Sequence, residues 1–234
     1  MTERKTDRLA EIEEILGYQF QDREVLERAL RHGSADEAQS EGSYQRLEFL
    51  GDAVLGHSVA LMLFETYPDA DEGVLTKMRA HLVRSPSLAE KAAWLGLEGW
   101  VRMSSGEERQ HGRERSALLE DVFEAIIGAL AIDGGWEAAS AFIDRQFRDE
   151  LEALDERTLI LADAKSALNQ AAQTRGLDLP VYLDRGGDGP DHRPRWISTV
   201  SWDGREMARG EGPTKREAQQ QAARRALARL GFLE

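Results

Sequence analysis

Two stretches of this chain place carboxylates inside otherwise apolar helices, and that placement limits the fold more than any other feature. The first, Gln45-Arg-Leu-Glu-Phe-Leu-Gly-Asp-Ala-Val-Leu55, opens a run that stays rich in apolar residues as far as Phe64. Glu48 and Asp52 are four residues apart and so share a helical face, among Leu47, Phe49, Leu50, Val54 and Leu55. The second, Leu118-Leu-Glu-Asp-Val-Phe-Glu-Ala-Ile-Ile-Gly-Ala-Leu130, sets Asp121 and Glu124 three apart, again on one face. Charges in such surroundings are costly unless a cation or a proton offsets them. Two helices each presenting two carboxylates could cross to make a four-carboxylate site suited to hard cations such as Mg²⁺ or Mn²⁺. The competing reading makes these the polar positions of amphipathic helices, paired with Arg46 or Arg115. Spacing alone does not choose between them.

The surrounding pattern is helical through the first two-thirds of the chain. Leu9, Ile12 and Leu16 fall at helical spacing before Gly17, and a second helix follows Asp22. Residues 34–44 are polar and read as a loop, as do residues 104–115. Asp71 can cap a helix running to Leu82, and Pro86 can open the next, ending near Gly96. Helices are expected over Ser116–Ile132 and Glu137–Leu154, separated by Gly134 and Gly135. The last third changes character. Asp163 can cap a helix ending at Gly176, three short strand-like patterns follow near 181–183, 195–202 and 206–210, and a final helix spans Thr214–Leu230. The expected fold class is therefore an all-α domain over residues 1–155, followed by a small α+β (α-β-β-β-α) domain over residues 160–231.

With no cysteine among 234 residues, disulfides, thiolate zinc sites, iron–sulfur clusters and a cysteine nucleophile are excluded. The polar start MTERKTDRL lacks the apolar core of a secretory signal, and no unbroken run of about 18 apolar residues is visible, so no membrane crossing is expected. A net charge of −13 argues at first against a nucleic-acid partner. Its distribution reverses that. Residues 158–234 hold twelve basic and ten acidic side chains, a net +2, while the remainder holds eighteen and thirty-three, a net −15.

The segment QRLEFLGDAVL resembles the signature of the ribonuclease III family, whose usual form has Glu where this chain has Gln45. The resemblance extends to Leu30–Ser34, to Asp71-Glu-Gly-Val-Leu-Thr-Lys-Met-Arg79, to Gly106-Glu-Glu108 with Gly112-Arg-Glu-Arg115, and to Asp121-Val-Phe-Glu-Ala-Ile-Ile-Gly128 and Asp133-Gly-Gly135, all in order. It implies a metal-dependent endonuclease of double-stranded RNA, working as a cytoplasmic homodimer with Mg²⁺ (Mn²⁺ a possible substitute) and no small-molecule cofactor. Glu48, Asp52, Asp121 and Glu124 would be its metal-site carboxylates, with Asp52 and Glu124 catalytic. Gln45 and Glu72 match accessory positions of the processing centre. At 45 an amide can only hydrogen-bond, and Glu72 lies in a helix opening where capping explains it equally well.

Residues 163–230 similarly resemble a double-stranded RNA-binding domain. The resemblance assigns minor-groove contacts to Asn169, Gln173 and His192, and phosphate contacts to Lys215 and Arg216 at the start of the final helix. The family commonly carries a third basic residue where this chain has Gln219, so that contact is expected to be weaker or replaced. Arg224, Arg225 and Arg229 read as solvated helix surface. The apolar residues around Phe49–Val54 are candidates for a dimer contact or for core. Two other classes fit parts of the chain: a cleavage-inactive regulator that binds duplex RNA, and a helical metal-dependent phosphohydrolase acting on a small substrate. All four carboxylates speak against the first, and the C-terminal module against the second.

Overall fold

The computed structural model describes residues 2–35, 42–155, 163–187 and 195–232, and the chain divides into two compact units, Met1–Ala153 and Leu154–Glu234. The first unit is helical: α1 (Thr2–Leu16), α2 (Arg23–Ala29), α3 (Gln45–Thr66), α4 (Glu72–Leu82), α5 (Ser85–Trp94), α6 (Ser105–Arg109) and α7 (Ser116–Glu152). Side-chain caps set several of the starts. Asp22 accepts from the Glu24 amide at 2.9 Å, and Asp71 from the Val74 amide at 2.9 Å. Pro86 lies in the first turn of α5, where its missing N–H costs nothing. The polar stretch 104–115 is more ordered than its composition suggests. Ser104 caps the short α6, and a 3₁₀ turn follows over Gly112–Glu114.

The core lies between α3 and α7, with Leu47, Leu55, Val59 and Leu63 of α3 buried together with Phe123, Ile126, Ile127 and Leu130 of α7. Phe123 stacks at a tilt on Phe142 (5.8 Å between centroids) and edge-on to Phe147 (6.3 Å). The expected break at Gly134–Gly135 is a kink within α7. Gly135 has φ 74° and ψ −171°, a conformation that only glycine adopts cheaply. Just before it, Asp133 pins the α1–α2 connection, accepting from Tyr18 Oη (2.8 Å), the Gln21 amide (2.8 Å) and the Asp22 amide (2.7 Å).

Helix α3 is long and apolar enough to cross a membrane by length and composition, although the chain has no unbroken apolar run of that length. A helix tolerates Glu48 and Asp52 within a 22-residue apolar stretch, whereas a search for uninterrupted runs stops at each charge. Its inner face packs on α7, while Phe49 (80% exposed) and Phe64 (69%) stand on the outside; Phe49 is therefore not core.

The second unit has the order α8 (Ala164–Thr174), β1 (Val181–Gly187), β2 (Arg195–Trp202), β3 (Arg205–Gly212) and α9 (Lys215–Arg229). The three strands form one antiparallel sheet in the order β1-β2-β3, with Leu183 opposite Thr199 and Val200 opposite Ala208. The alanines of α9 (Ala222, Ala223 and Ala226) pack with Leu168 of α8 and with Val200 and Trp202 of β2. Small side chains there let the helix lie close on the sheet. Arg225 and Arg229, expected as solvated surface, donate to the carbonyls of Arg209 (2.7 Å) and Met207 on β3. Long basic side chains reach carbonyl groups that alternation along a helix does not reveal.

Candidate metal and nucleic-acid sites

Two glycines decide where the carboxylates meet. A Cβ on Gly51 of α3 would lie 1.8 Å from the Glu124 carbonyl oxygen, and one on Gly128 of α7 would lie 2.1 Å from the Leu47 carbonyl oxygen. The backbones of α3 and α7 therefore touch where these residues face each other. Glycine inside a helix costs about 1 kcal/mol relative to alanine, so two of them at one crossing mark a required approach. Glu48 and Asp52 flank Gly51, while Asp121 and Glu124 precede Gly128 on the facing helix. All four thus gather at one crossing, with Asp52 exposed and the other three half-buried.

Their ionisation reports the crowding. Burial pushes the Glu124 carboxyl up to about 8, and the charges of Asp52, Glu120, Glu48 and Asp121 add to it. Glu48 is also held above its ordinary range, by burial and then by Asp121, Glu120 and Asp52. Tyr44, which immediately precedes α3, donates its hydroxyl to Asp121 Oδ2 at 3.0 Å, and burial beside these acids raises the phenol as well. The charges that raise Glu124 and Glu48 come from acidic neighbours. Arg115, one of the two cations of the competing reading, pairs instead with Glu107 at 2.6 Å.

In this conformation no three acidic or imidazole side chains among the described residues already stand as a closed cation cage. The donor set nonetheless fits a hard cation: only oxygen ligands, mutually repelling, partly desolvated and open to solvent at Asp52. Glu120, Tyr44 and the two glycines were not singled out from sequence. Gly51 and Gly128 carried a visible signal, being glycines inside the two most apolar helices. Glu120 and Tyr44 carried none that spacing could show. Ser85 donates to Glu120 from the start of α5. Of the accessory positions, Gln45 is exposed and accepts from Ser43 Oγ at 3.3 Å, while Glu72 accepts from Thr76 Oγ1 at 3.0 Å inside α4.

In the second unit α8 and α9 lie side by side. Asp163, the cap of α8, accepts from Gln220 Nε2 at 2.8 Å. Asn169 and Gln173 share one face of α8, half-buried and exposed respectively, and Lys215 and Arg216 are exposed in the first turn of α9, which Thr214 caps through the Glu217 amide (3.1 Å). Gln219 is not a free surface amide. Its Nε2 donates to Asp184 Oδ2 of β1 at 2.8 Å, and its Oε1 accepts from Lys165 Nζ of α8 at 2.7 Å. Lys215 Nζ also reaches Asp184 Oδ2, at 2.9 Å. His192 lies outside the described residues.

Comparison with known proteins agrees with this division. Residues 22–151 match the family model described as ribonuclease-III-like, and residues 164–230 match the double-stranded RNA binding motif. A ribonuclease 3 from Azorhizobium caulinodans is 45% identical over 98% of this chain and 97% of its own length. One from Symbiobacterium thermophilum is 44% identical over 92% and 91%. Among solved structures, the nuclease domain of ribonuclease III from Campylobacter jejuni superposes with a TM-score of 0.57 at 38% identity, covering 62% of this chain and 96% of that one. A second structure of that domain gives 0.56 at 39% identity over 59% and 94%. With near-complete coverage in sequence and a matching helical unit in space, the chain belongs to the ribonuclease III family.

Proposed function

We infer that the chain is a double-stranded RNA endoribonuclease, and propose that Glu48, Asp52, Asp121 and Glu124 form its cleavage site. The observation that carries this reading is the glycine-to-glycine contact of α3 and α7, which gathers four carboxylates at one crossing, in a chain that also holds a duplex-RNA-binding motif. Residues 1–155 are proposed as the endonuclease domain and 160–231 as the RNA-binding domain.

The four carboxylates would hold Mg²⁺, or Mn²⁺ in its place. When bound, such an ion supplies positive charge against the charge that develops on the phosphate, and acidifies water. The chain's own groups then have separate tasks. Tyr44 fixes the orientation of Asp121 through its hydroxyl. Asp52, the most exposed of the four, faces entering water and accepts its proton. Glu124, the most strongly perturbed, completes the set from α7. Water oxygen joins phosphorus as its proton passes to Asp52, the bond to the 3′ oxygen breaks, that oxygen takes up a proton from solvent water, and the products carry 5′-phosphate and 3′-hydroxyl ends. In the second unit, Asn169 and Gln173, with His192, would follow the minor groove while Lys215 and Arg216 meet phosphates.

Exposed Phe49, beside the site on α3, is proposed as part of a homodimer contact, so that two sites serve the two strands of one duplex. A structure of the Campylobacter nuclease domain is described as having a region involved in dimer formation, in keeping with this arrangement. Structured RNA precursors, ribosomal ones among them, are the proposed substrates, in the bacterial cytoplasm. Incubation with duplex RNA in Mg²⁺ or in EDTA separates the classes. Cleavage only with Mg²⁺ is expected. Binding without cleavage in both would indicate a regulator, and indifference to RNA a small-substrate phosphohydrolase.

A further inference from the structure

We propose that Lys165, on the first helix of the RNA-binding unit, is a further phosphate-binding residue, and that Gln219 positions it. The inference rests on the reading of this unit as the enzyme's RNA-binding domain. Three contacts in series carry it. Lys215 Nζ and Gln219 Nε2 both donate to Asp184 Oδ2, at 2.9 and 2.8 Å, which turns the Gln219 carbonyl oxygen away from Asp184 and toward Lys165 Nζ at 2.7 Å. Only this orientation of the amide satisfies both neighbours, since the carboxylate can only accept and the ammonium can only donate. The Lys165 ammonium also sits over the Tyr182 ring, 4.9 Å from its centroid.

The result is two ammonium groups tied to one carboxylate, Lys215 directly and Lys165 through the Gln219 amide, where α8 and α9 meet β1. The Asp184 side chain is only 11% exposed, whereas Lys215 is 56% exposed and Lys165 is half-exposed, so the cations rather than the acid face outward. Burial alone would raise Asp184, but the Lys215 ammonium, the neighbouring Ser198 hydroxyl and the Gln219 amide hold it below the ordinary carboxylate range. Gln219 occupies one of the three N–H donors of Lys165, and the others remain for a phosphate oxygen. A lysine fixed in advance by an amide and an aromatic face loses less side-chain freedom on binding than one waving in solvent. Lys165 thus supplies from α8 a positive charge that α9 does not supply at 219, where the side chain is neutral. Asp184 offsets part of that charge, which limits the expected gain.

The test uses the full chain in EDTA, which prevents cleavage, with a duplex RNA longer than the roughly 16 base pairs one such domain spans. Lys165→Ala is expected to weaken binding about three- to tenfold at low salt and to reduce the slope of log K against log salt by about one. Adding Gln219→Lys to that variant places an ammonium on α9 and is expected to restore both affinity and slope, which a merely structural role of Lys165 would not allow. Wild-type affinity and slope in Lys165→Ala, or failure of Gln219→Lys to restore a folded Lys165→Ala protein, would overturn the proposal. Lys215→Ala with Arg216→Ala serves as the reference. If that pair loses binding while Lys165→Ala does not, the inference alone fails; if neither loses it, the reading of the domain fails.

Discussion

Replacing Glu124 by Gln should make the metal-free protein more stable at alkaline pH. The folded chain holds this carboxyl near 8, against an ordinary 4.5. Between those values the unfolded chain has released its proton and the folded chain has kept it, so stability falls as pH rises through that window and levels off above it. At 1.36 kcal/mol per decade the cost would reach at most ~5 kcal/mol by pH 9. Water reaches this half-buried group and screens its neighbours, so a realistic figure is ~2 kcal/mol. Glutamine matches the shape without the charge. In EDTA at pH 9, Glu124→Gln should therefore melt about 4–8 °C above the wild type, with the gap closing at pH 5. Mg²⁺ should close it from the other side, by stabilising the wild type far more than the variant. Calorimetry across pH 5–9, with and without Mg²⁺, measures all of this. A gap that does not change with pH would refute the argument that burial and the neighbouring acids keep Glu124 protonated in the folded chain.

Three further outcomes follow from the packing. Gly128→Ala puts a methyl 2.1 Å from the Leu47 carbonyl oxygen, so α3 and α7 must separate. A loss of about 3 kcal/mol or more in chemical denaturation is expected, with cleavage falling by about two orders of magnitude in the fraction that folds. Phe49→Asp charges the exposed outer face of α3 and should shift the protein toward monomer in sedimentation, without lowering the monomer's helical content. Asp133→Asn weakens three hydrogen bonds to the α1–α2 connection and should cost about 1–2 kcal/mol at pH 7. Burial works to raise Asp133, but the amides of Asp22 and Gln21 and the Tyr18 hydroxyl hold its carboxyl below the ordinary 3.8. Its contribution is therefore present above that value and lost as pH falls through the lower folded one, so wild type and variant should converge in acid.

Much of this was open to a reading of residues alone, because the determining interactions are local. Asp22, Asp71, Asp163 and Thr214 cap helices through amides two or three residues away. The pairing of Glu48 with Asp52, and of Asp121 with Glu124, follows from helical spacing. What stayed hidden depends on partners distant in sequence. Nothing near Gln219 indicates that it will join Asp184 to Lys165. Nothing near Tyr44 indicates a bond to a residue 77 positions away. The exposure of Phe49 was open for the same reason, since an apolar residue on an apolar helix can face either way until the neighbouring helices are placed. Gly51 and Gly128 lie between these cases. Each is conspicuous within its helix, but the facing pair exists only once α3 and α7 cross.

The central claim is that the acids at this crossing cut duplex RNA, and Glu124 is the residue on which it can be tested most directly. Single-turnover cleavage of an end-labelled RNA duplex in Mg²⁺ should be abolished in Glu124→Gln, while the affinity of the folded variant for the same duplex stays within about threefold of wild type. A variant that cleaves at the wild-type rate would contradict the claim.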